Sequence, residues 1–184
     1  MILDQILAEL RAKNPLVHCI TNYVAMNISA NVVLASGASP AMIHAPEEAA
    51  DFAKIVGALT VNIGTISSAW FKGMKLAAIA ANEAAVPWVL DPVAHFATPY
   101  RSSAARELLA LKPTILRGNA SEIMGLGGQA SQAKGVDAKD SVESAEIGAV
   151  KLAKAHNMVV AVTGETDFVT DGIRTARIFG GSPV

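Results

Sequence analysis

Six short apolar runs without polar alternation recur along the chain: Leu16–Ile20, Ala41–Ile43, Leu59–Ile63, Trp88–Leu90, Thr114–Leu116 and Met158–Val162. A strand with one wet face alternates apolar and polar side chains, whereas a parallel strand covered on both faces reads as one continuous apolar run. Helix-length segments lie between the runs, notably Pro46–Val56, Ala69–Ala84, Ser102–Leu111 and Val142–His156, as crossover helices between parallel strands require. Ahead of them, Ile2, Leu3, Ile6, Leu7 and Leu10 form a helical stripe that stops before Asn14-Pro15. The pattern predicts a three-layer α/β protein with a mainly parallel central sheet. Pro46 suits the first position of a helix, ahead of Glu47 and Glu48 at the positive end of the dipole, and Gly57 lies where a C-terminal cap is expected. Asp171-Gly172 is the dipeptide favoured in type I′ turns, so Asp167–Thr170 and Ile173–Phe179 are expected to form an antiparallel hairpin closing the sheet. The stretch Gly125–Asp140, rich in Gly, Ala and Ser, reads as a loop.

A chain of 184 residues is expected to form a single domain, residues 1–184, with its own core. Charged residues make up 17% and hydrophobic ones 52%, against about 25% and 45–50% in average globular chains, which rules out disorder. With 15 Lys and Arg against 16 Asp and Glu and no basic run, nothing neutralises a phosphate backbone or holds an anionic bilayer. Neither nucleic acid nor a membrane is therefore an expected partner. Mean hydropathy is +0.37, and Asn14–Pro46 contains no Lys, Arg, Asp or Glu, but Pro15, Asn22, Asn27, Asn31, Gly37 and Pro40 break it up. A spanning helix needs about 20 mostly apolar residues in a row, so the low charge suggests a buried sheet or a subunit interface instead. Asp4, Glu9 and Arg11 do not make a secretory signal, and the single Cys19 permits no internal disulfide, so a cytoplasmic location is expected.

In open α/β sheets ligands bind beyond the carboxyl ends of the strands. Here those positions are polar: Thr21-Asn22, His44, Gly64-Thr65, Asp91-Pro92, Arg117-Gly118-Asn119 with Glu122 one turn on, and Thr163-Gly164-Glu165. No Walker A sequence and no Gly-x-Gly-x-x-Gly turn follows a strand. Asp91 and Glu122, at neighbouring strand ends, suit a hydrated Mg2+, which takes one or two carboxylates plus substrate phosphates. Arg117 and the Thr163 hydroxyl suit phosphate oxygens. The same residues have structural readings: Asp91 begins a turn at Pro92, Glu122 serves a helix dipole, and Arg117 pairs with either carboxylate. His18 and Cys19 fall inside an apolar run and are expected in the core. His44, His95 and His156 share no zinc-like spacing, and Met42 by itself reads as core filler.

Taken in order, Leu16-Val17-His18-Cys19-Ile20-Thr21-Asn22, Ala38-Ser39-Pro40-Ala41-Met42, Asn62-Ile63-Gly64-Thr65, Leu90-Asp91-Pro92-Val93, Arg117-Gly118-Asn119-Ala120-Ser121-Glu122-Ile123 and Val162-Thr163-Gly164-Glu165 resemble the hydroxyethylthiazole kinases, a ribokinase-like family. The resemblance runs from about Asn14 to Val184. It implies ATP- and Mg2+-dependent phosphorylation of the primary alcohol of 4-methyl-5-(2-hydroxyethyl)thiazole, in thiamine salvage, by a homotrimer with active sites between subunits. It also implies roles for particular residues. Met42 becomes the thiazole-contacting methionine, with Asn22, Gly64 and Thr65 lining the substrate and phosphate region. Arg117, Asn119 and Thr163 become ATP-binding residues, and Asp91 and Glu122 the acidic residues near Mg2+.

Members of the family continue past the position of Val184 with a Gly-Thr-Gly-Cys-like segment that opens a helix. That segment supplies phosphate-binding amides and the residue at the substrate hydroxyl. The resemblance therefore implies a fold incomplete at its C-terminus and a catalytic residue beyond Val184, for which Cys19 is no substitute. The 184 residues alone are expected to be poorly soluble and inactive. Two alternatives stay open: a ribokinase-like kinase of another vitamin-precursor alcohol, and a catalytically silent chain retaining only binding or assembly surfaces. A Rossmann oxidoreductase lacks its glycine fingerprint here.

Overall fold

The computed structural model describes residues 3–128 and 141–180, which group into two compact units, the first ending at Trp88 and the second starting at Val89. In the first unit α1 (Leu3–Lys13) leads into β1 (Leu16–Ile20), followed by α2 (Met26–Ser36), β2 (Ser39–Ala41), α3 (Ala49–Ala53), β3 (Ala58–Asn62) and α4 (Ser68–Glu83). Its strands run parallel in the order β2-β1-β3, with Leu16 opposite Ser39 and Val17 opposite Ala58. His18, Cys19 and Ile20 are buried in β1, as the apolar run requires, together with Leu59, Val61 and Met74.

The second unit contains β4 (Trp88–Asp91) from Val89 onward and a 3-10 turn at His95–Ala97. Then come α5 (Pro99–Ala110), β5 (Ile115–Asn119), α6 (Ala120–Leu126), α7 (Val142–His156), β6 (Val159–Thr163), β7 (Thr166–Thr170) and β8 (Thr175–Phe179). Its strand order is β4-β5-β6-β7-β8, parallel up to β6 and antiparallel from there. Helix starts are set by local chemistry. Thr98 caps α5 and Pro99 occupies its first turn, Ser67 accepts the Trp70 amide ahead of α4, and Ser141 accepts the Ser144 amide ahead of α7.

Several expectations need correction. Within the uncharged stretch Asn14–Pro46 the buried-sheet expectation fails at α2, which forms eleven helical residues and closes on Gly37 in the left-handed region (φ 100°). Only Ala49–Ala53 of Pro46–Val56 is helical: the first helical position is Ala49 rather than Pro46, Glu48 is the N-cap, and Lys54 is the C-cap. Gly57 instead donates its amide to the Leu16 carbonyl at 2.9 Å, so it begins the pairing with β1 rather than ending a helix. The second strand runs Ser39–Ala41, not Ala41–Ile43, because Ser39 already pairs with Leu16. Gly125 and Leu126 end α6 instead of opening a loop, and residues 129–140 of that expected loop lie outside the described residues.

The hairpin forms, but not through a two-residue type I′ turn. Thr170 pairs with Thr175, leaving the four residues 171–174 as the connection, and of these only Gly172 has a positive φ. Asp171 Oδ1 accepts the amides of Ile173 and Arg174 at 2.9 and 2.7 Å, and these bonds with the Arg174 guanidinium hold its carboxyl at about 2. Thr170 Oγ1 accepts the Gly172 amide at 3.0 Å. These side-chain bonds select the longer loop.

Candidate active site

In the first unit, side-chain amides tie together the segments that follow β1 and β3. Asn22 Nδ2 donates to Asn62 Oδ1 at 2.9 Å, and the same oxygen accepts the Gly64 amide at 2.8 Å. Asn22 Oδ1 accepts the Ala25 amide at 2.9 Å, and Thr65 Oγ1 accepts the Tyr23 amide at 3.0 Å. A Cβ on Gly64 would sit 2.8–2.9 Å from Asn22 side-chain atoms, so this close approach needs glycine. Asn22, Gly64 and Thr65 are thus brought together through these bonds. Asn62 is the residue that sequence reasoning left out of the site, although its place at a strand end before Gly64-Thr65 was a signal for it.

Met42 follows β2 and is half-buried. The backbone beside it is pinned by His18, whose Nε2–H donates to the Ile43 carbonyl at 2.7 Å. Burial pushes the His18 imidazole below its usual range, so it stays neutral and donates from one nitrogen. The expected core histidine is therefore also the support of the Met42 segment. Trp70 of α4 lies against both Tyr23 and His44, with ring centroids 4.6 and 4.4 Å away. Cys19 is buried, which raises its thiol pKa and makes it a poor nucleophile.

In the second unit the parallel register sets the strand ends side by side. Leu90 pairs with Leu116, so Asp91 and Arg117 follow in step, and Arg117 Nη1 donates to Asp91 Oδ2 at 3.2 Å. The Arg117 side chain is 51% exposed, so this pair contributes less than about 1 kcal/mol of stability and leaves the guanidinium largely in solvent. Asn119 pairs with Thr163 at the next two strand ends, and Thr163 Oγ1 donates to the Gly118 carbonyl at 3.4 Å. Thr163, Gly164 and Glu165 line a cleft of 220 Å3 with Ser141 and Glu143 at the start of α7. A larger cleft of 410 Å3, lined by Ile147, Phe168 and Arg177 among others, contains none of the residues singled out from the sequence.

Glu122 is buried and its position is structural as well as chemical. Asn119 Oδ1 accepts the Glu122 amide while Glu122 Oε2 accepts the Asn119 amide at 2.8 Å, a reciprocal cap on α6. Its other oxygen, Oε1, accepts the Ala94 amide at 2.9 Å. Sequence reasoning anticipated a carboxylate serving the helix start but not the bond to the loop after β4. Among the described residues there is no group of three or more His, Cys, Asp or Glu placed to hold a metal ion. No helix among them is long and apolar enough to cross a membrane.

Known proteins resemble this chain along nearly all its length. The profile of the hydroxyethylthiazole kinase family matches residues 7–184. A hydroxyethylthiazole kinase of Rhizobium rhizogenes is 62% identical over 179 residues, covering 97% of this chain and 67% of that protein. The structure of a hydroxyethylthiazole kinase protein from Pyrococcus horikoshii superposes with a TM-score of 0.86 at 39% identity, over 97% of this chain and 66% of that one. A pyridoxal kinase from Staphylococcus aureus, solved with AMP-PCP and pyridoxal, shares the fold alone at TM-score 0.64 and 14% identity, over 88% of this chain and 69% of that one. The chain spans about two thirds of the length of these relatives. The α/β reading with its antiparallel end, and the likeness carried by the strand-end segments, lead to one assignment: the chain belongs to the hydroxyethylthiazole kinase family.

Proposed function

We propose that this protein phosphorylates the hydroxyethyl group of 4-methyl-5-(2-hydroxyethyl)thiazole with ATP and Mg2+, in thiamine salvage, and that residues 1–184 belong to one ribokinase-like kinase domain. The observation that carries this reading is the 62% identity to a hydroxyethylthiazole kinase across nearly the whole chain. The polar strand ends of both units support it. Met42 and the Asn22, Gly64 and Thr65 loops serve the thiazole side. Arg117, Asn119 and Thr163 serve ATP. Phosphoryl transfer needs little covalent chemistry from a protein and much positioning and charge neutralisation. An exposed guanidinium at a strand end and a hydroxyl beside the 220 Å3 cleft are groups of that kind.

The donors fit Mg2+ in its usual sparse mode, in which the ion keeps several waters and takes one or two carboxylates plus phosphates. Asp91, at the end of β4 and partly exposed, is the carboxylate that would hold it. Both oxygens of Glu122 already accept buried amides, so Glu122 would meet the ion through water and acts chiefly by fixing the loops around it. When bound, the ion would neutralise phosphate charge.

Helix α2 supports a homotrimer. None of its residues is buried within the chain, and Ile28 and Val32, one turn apart on one face, are 66% and 58% exposed, a pair that a second copy would cover. The function is tested by calorimetric titration of the thiazole alcohol, pyridoxal and a hydroxymethylpyrimidine into the protein with Mg2+ and a nonhydrolysable ATP analogue. The thiazole alone is expected to bind in the micromolar range, on the order of −8 kcal/mol. Preference for either other alcohol would replace the substrate assignment.

A further inference from the structure

The loop after β4 is held in a conformation that a free chain disfavours, and side chains from two helices hold it. Ala94 has left-handed backbone angles (φ 47°, ψ 38°), a region that crowds any residue with a Cβ. Its amide donates to Glu122 Oε1 at 2.9 Å and its carbonyl accepts Arg101 Nε at 3.2 Å. The preceding carbonyl, that of Val93, accepts Arg101 Nη2. Arg101 stands in the first turn of α5, where Thr98 Oγ1 accepts its amide at 3.2 Å. Its guanidinium is thus directed at backbone rather than at solvent.

This grip falls two residues after Asp91, with Pro92 between, whose ring removes a backbone freedom. Where the Val93 and Ala94 peptides are pinned therefore limits where the Asp91 carboxylate stands. We propose that Arg101 is a positioning residue for Asp91: by binding the Val93 and Ala94 carbonyls it fixes the loop that presents the Asp91 carboxylate to the metal. The inference rests on the reading of Asp91 as the Mg2+ ligand. A planar fork is required for two adjacent carbonyls, so lysine is not equivalent to arginine here.

The test measures Mn2+ affinity in the presence of ATP by electron paramagnetic resonance, for the whole chain and for Arg101→Ala, Arg101→Lys and Asp91→Asn. Thiazole affinity by calorimetry and exchange of the Ala94 amide are measured alongside. Arg101→Ala is expected to weaken Mn2+ binding about tenfold, as loss of a supporting contact behind a metal ligand does, and to speed Ala94 exchange, with thiazole affinity unchanged. Added guanidinium should restore part of the affinity to Arg101→Ala. Arg101→Lys, which keeps the charge and fold, should lie between it and the parent. If Asp91→Asn weakens Mn2+ binding while neither Arg101 variant does, or if thiazole affinity falls in parallel, the positioning role is wrong. If Asp91→Asn itself changes nothing, the metal reading fails and the inference with it.

Discussion

Replacing Glu122 with alanine is expected to destabilise the protein by about 3–5 kcal/mol, a large share of the stability of a domain this size. The carboxylate is 5% exposed and accepts two amides from different elements, Asn119 at the start of α6 and Ala94 in the loop after β4. Alanine removes both acceptors and leaves two buried or half-buried donors without partners, each costing about 1–3 kcal/mol. It also removes half of the reciprocal cap on α6 and frees Ala94 from its left-handed conformation. Glutamine is expected to cost less, since its one carbonyl oxygen can keep one amide while its NH2 faces the other. Urea denaturation measures both. A loss below about 1 kcal/mol for the alanine variant would show that these bonds are not the support described.

The second large effect is catalytic. In a chain extended to the length of its relatives, Asp91→Asn conserves shape and removes one hard anionic donor, so the rate of thiazole phosphorylation is expected to fall about 100-fold and the Mg2+ requirement to rise. Stability should hardly change, because the Asp91–Arg117 pair is half in solvent and worth less than about 1 kcal/mol. That contrast would separate the two carboxylates, with Glu122 acting on the fold first and Asp91 on the reaction. Initial rates against Mg2+ concentration, with melting temperature as the control, check it. An Asp91→Asn enzyme that saturates with Mg2+ as the parent does would remove Asp91 from the metal site.

The strands were the most legible part of the sequence. Leu16–Ile20 is a strand over those same residues and Met158–Val162 is displaced by one, because these runs are apolar throughout except for the buried His18. Helix α2 was not legible. It has no side-chain cap at Ala25 and no charged residue, and its polar Asn27 and Asn31 lie among exposed apolar residues, so only Gly37 at its end marks it. Its Ile28 and Val32 are exposed, and a pattern rule that places apolar residues against one core cannot anticipate that. Asn119-Ala-Ser-Glu122 does carry a capping-box spacing, so the start of α6 was written in the sequence. The bond from Glu122 to Ala94 was not, since it joins residues 28 apart. Met42 reads as core filler on every local criterion and is a candidate site residue only through the resemblance.

The central claim is that two sets of strand-end residues serve two different ligands, and calorimetry on Arg117→Ala and Met42→Ala tests it most directly. Arg117→Ala removes a charge suited to phosphate oxygens and is expected to weaken ATP binding about tenfold while leaving thiazole affinity unchanged. Met42→Ala removes a polarisable thioether suited to a sulfur heterocycle and is expected to weaken thiazole binding about tenfold with ATP affinity unchanged. Equal loss of both ligands in either variant, or no loss in both, would contradict the assignment.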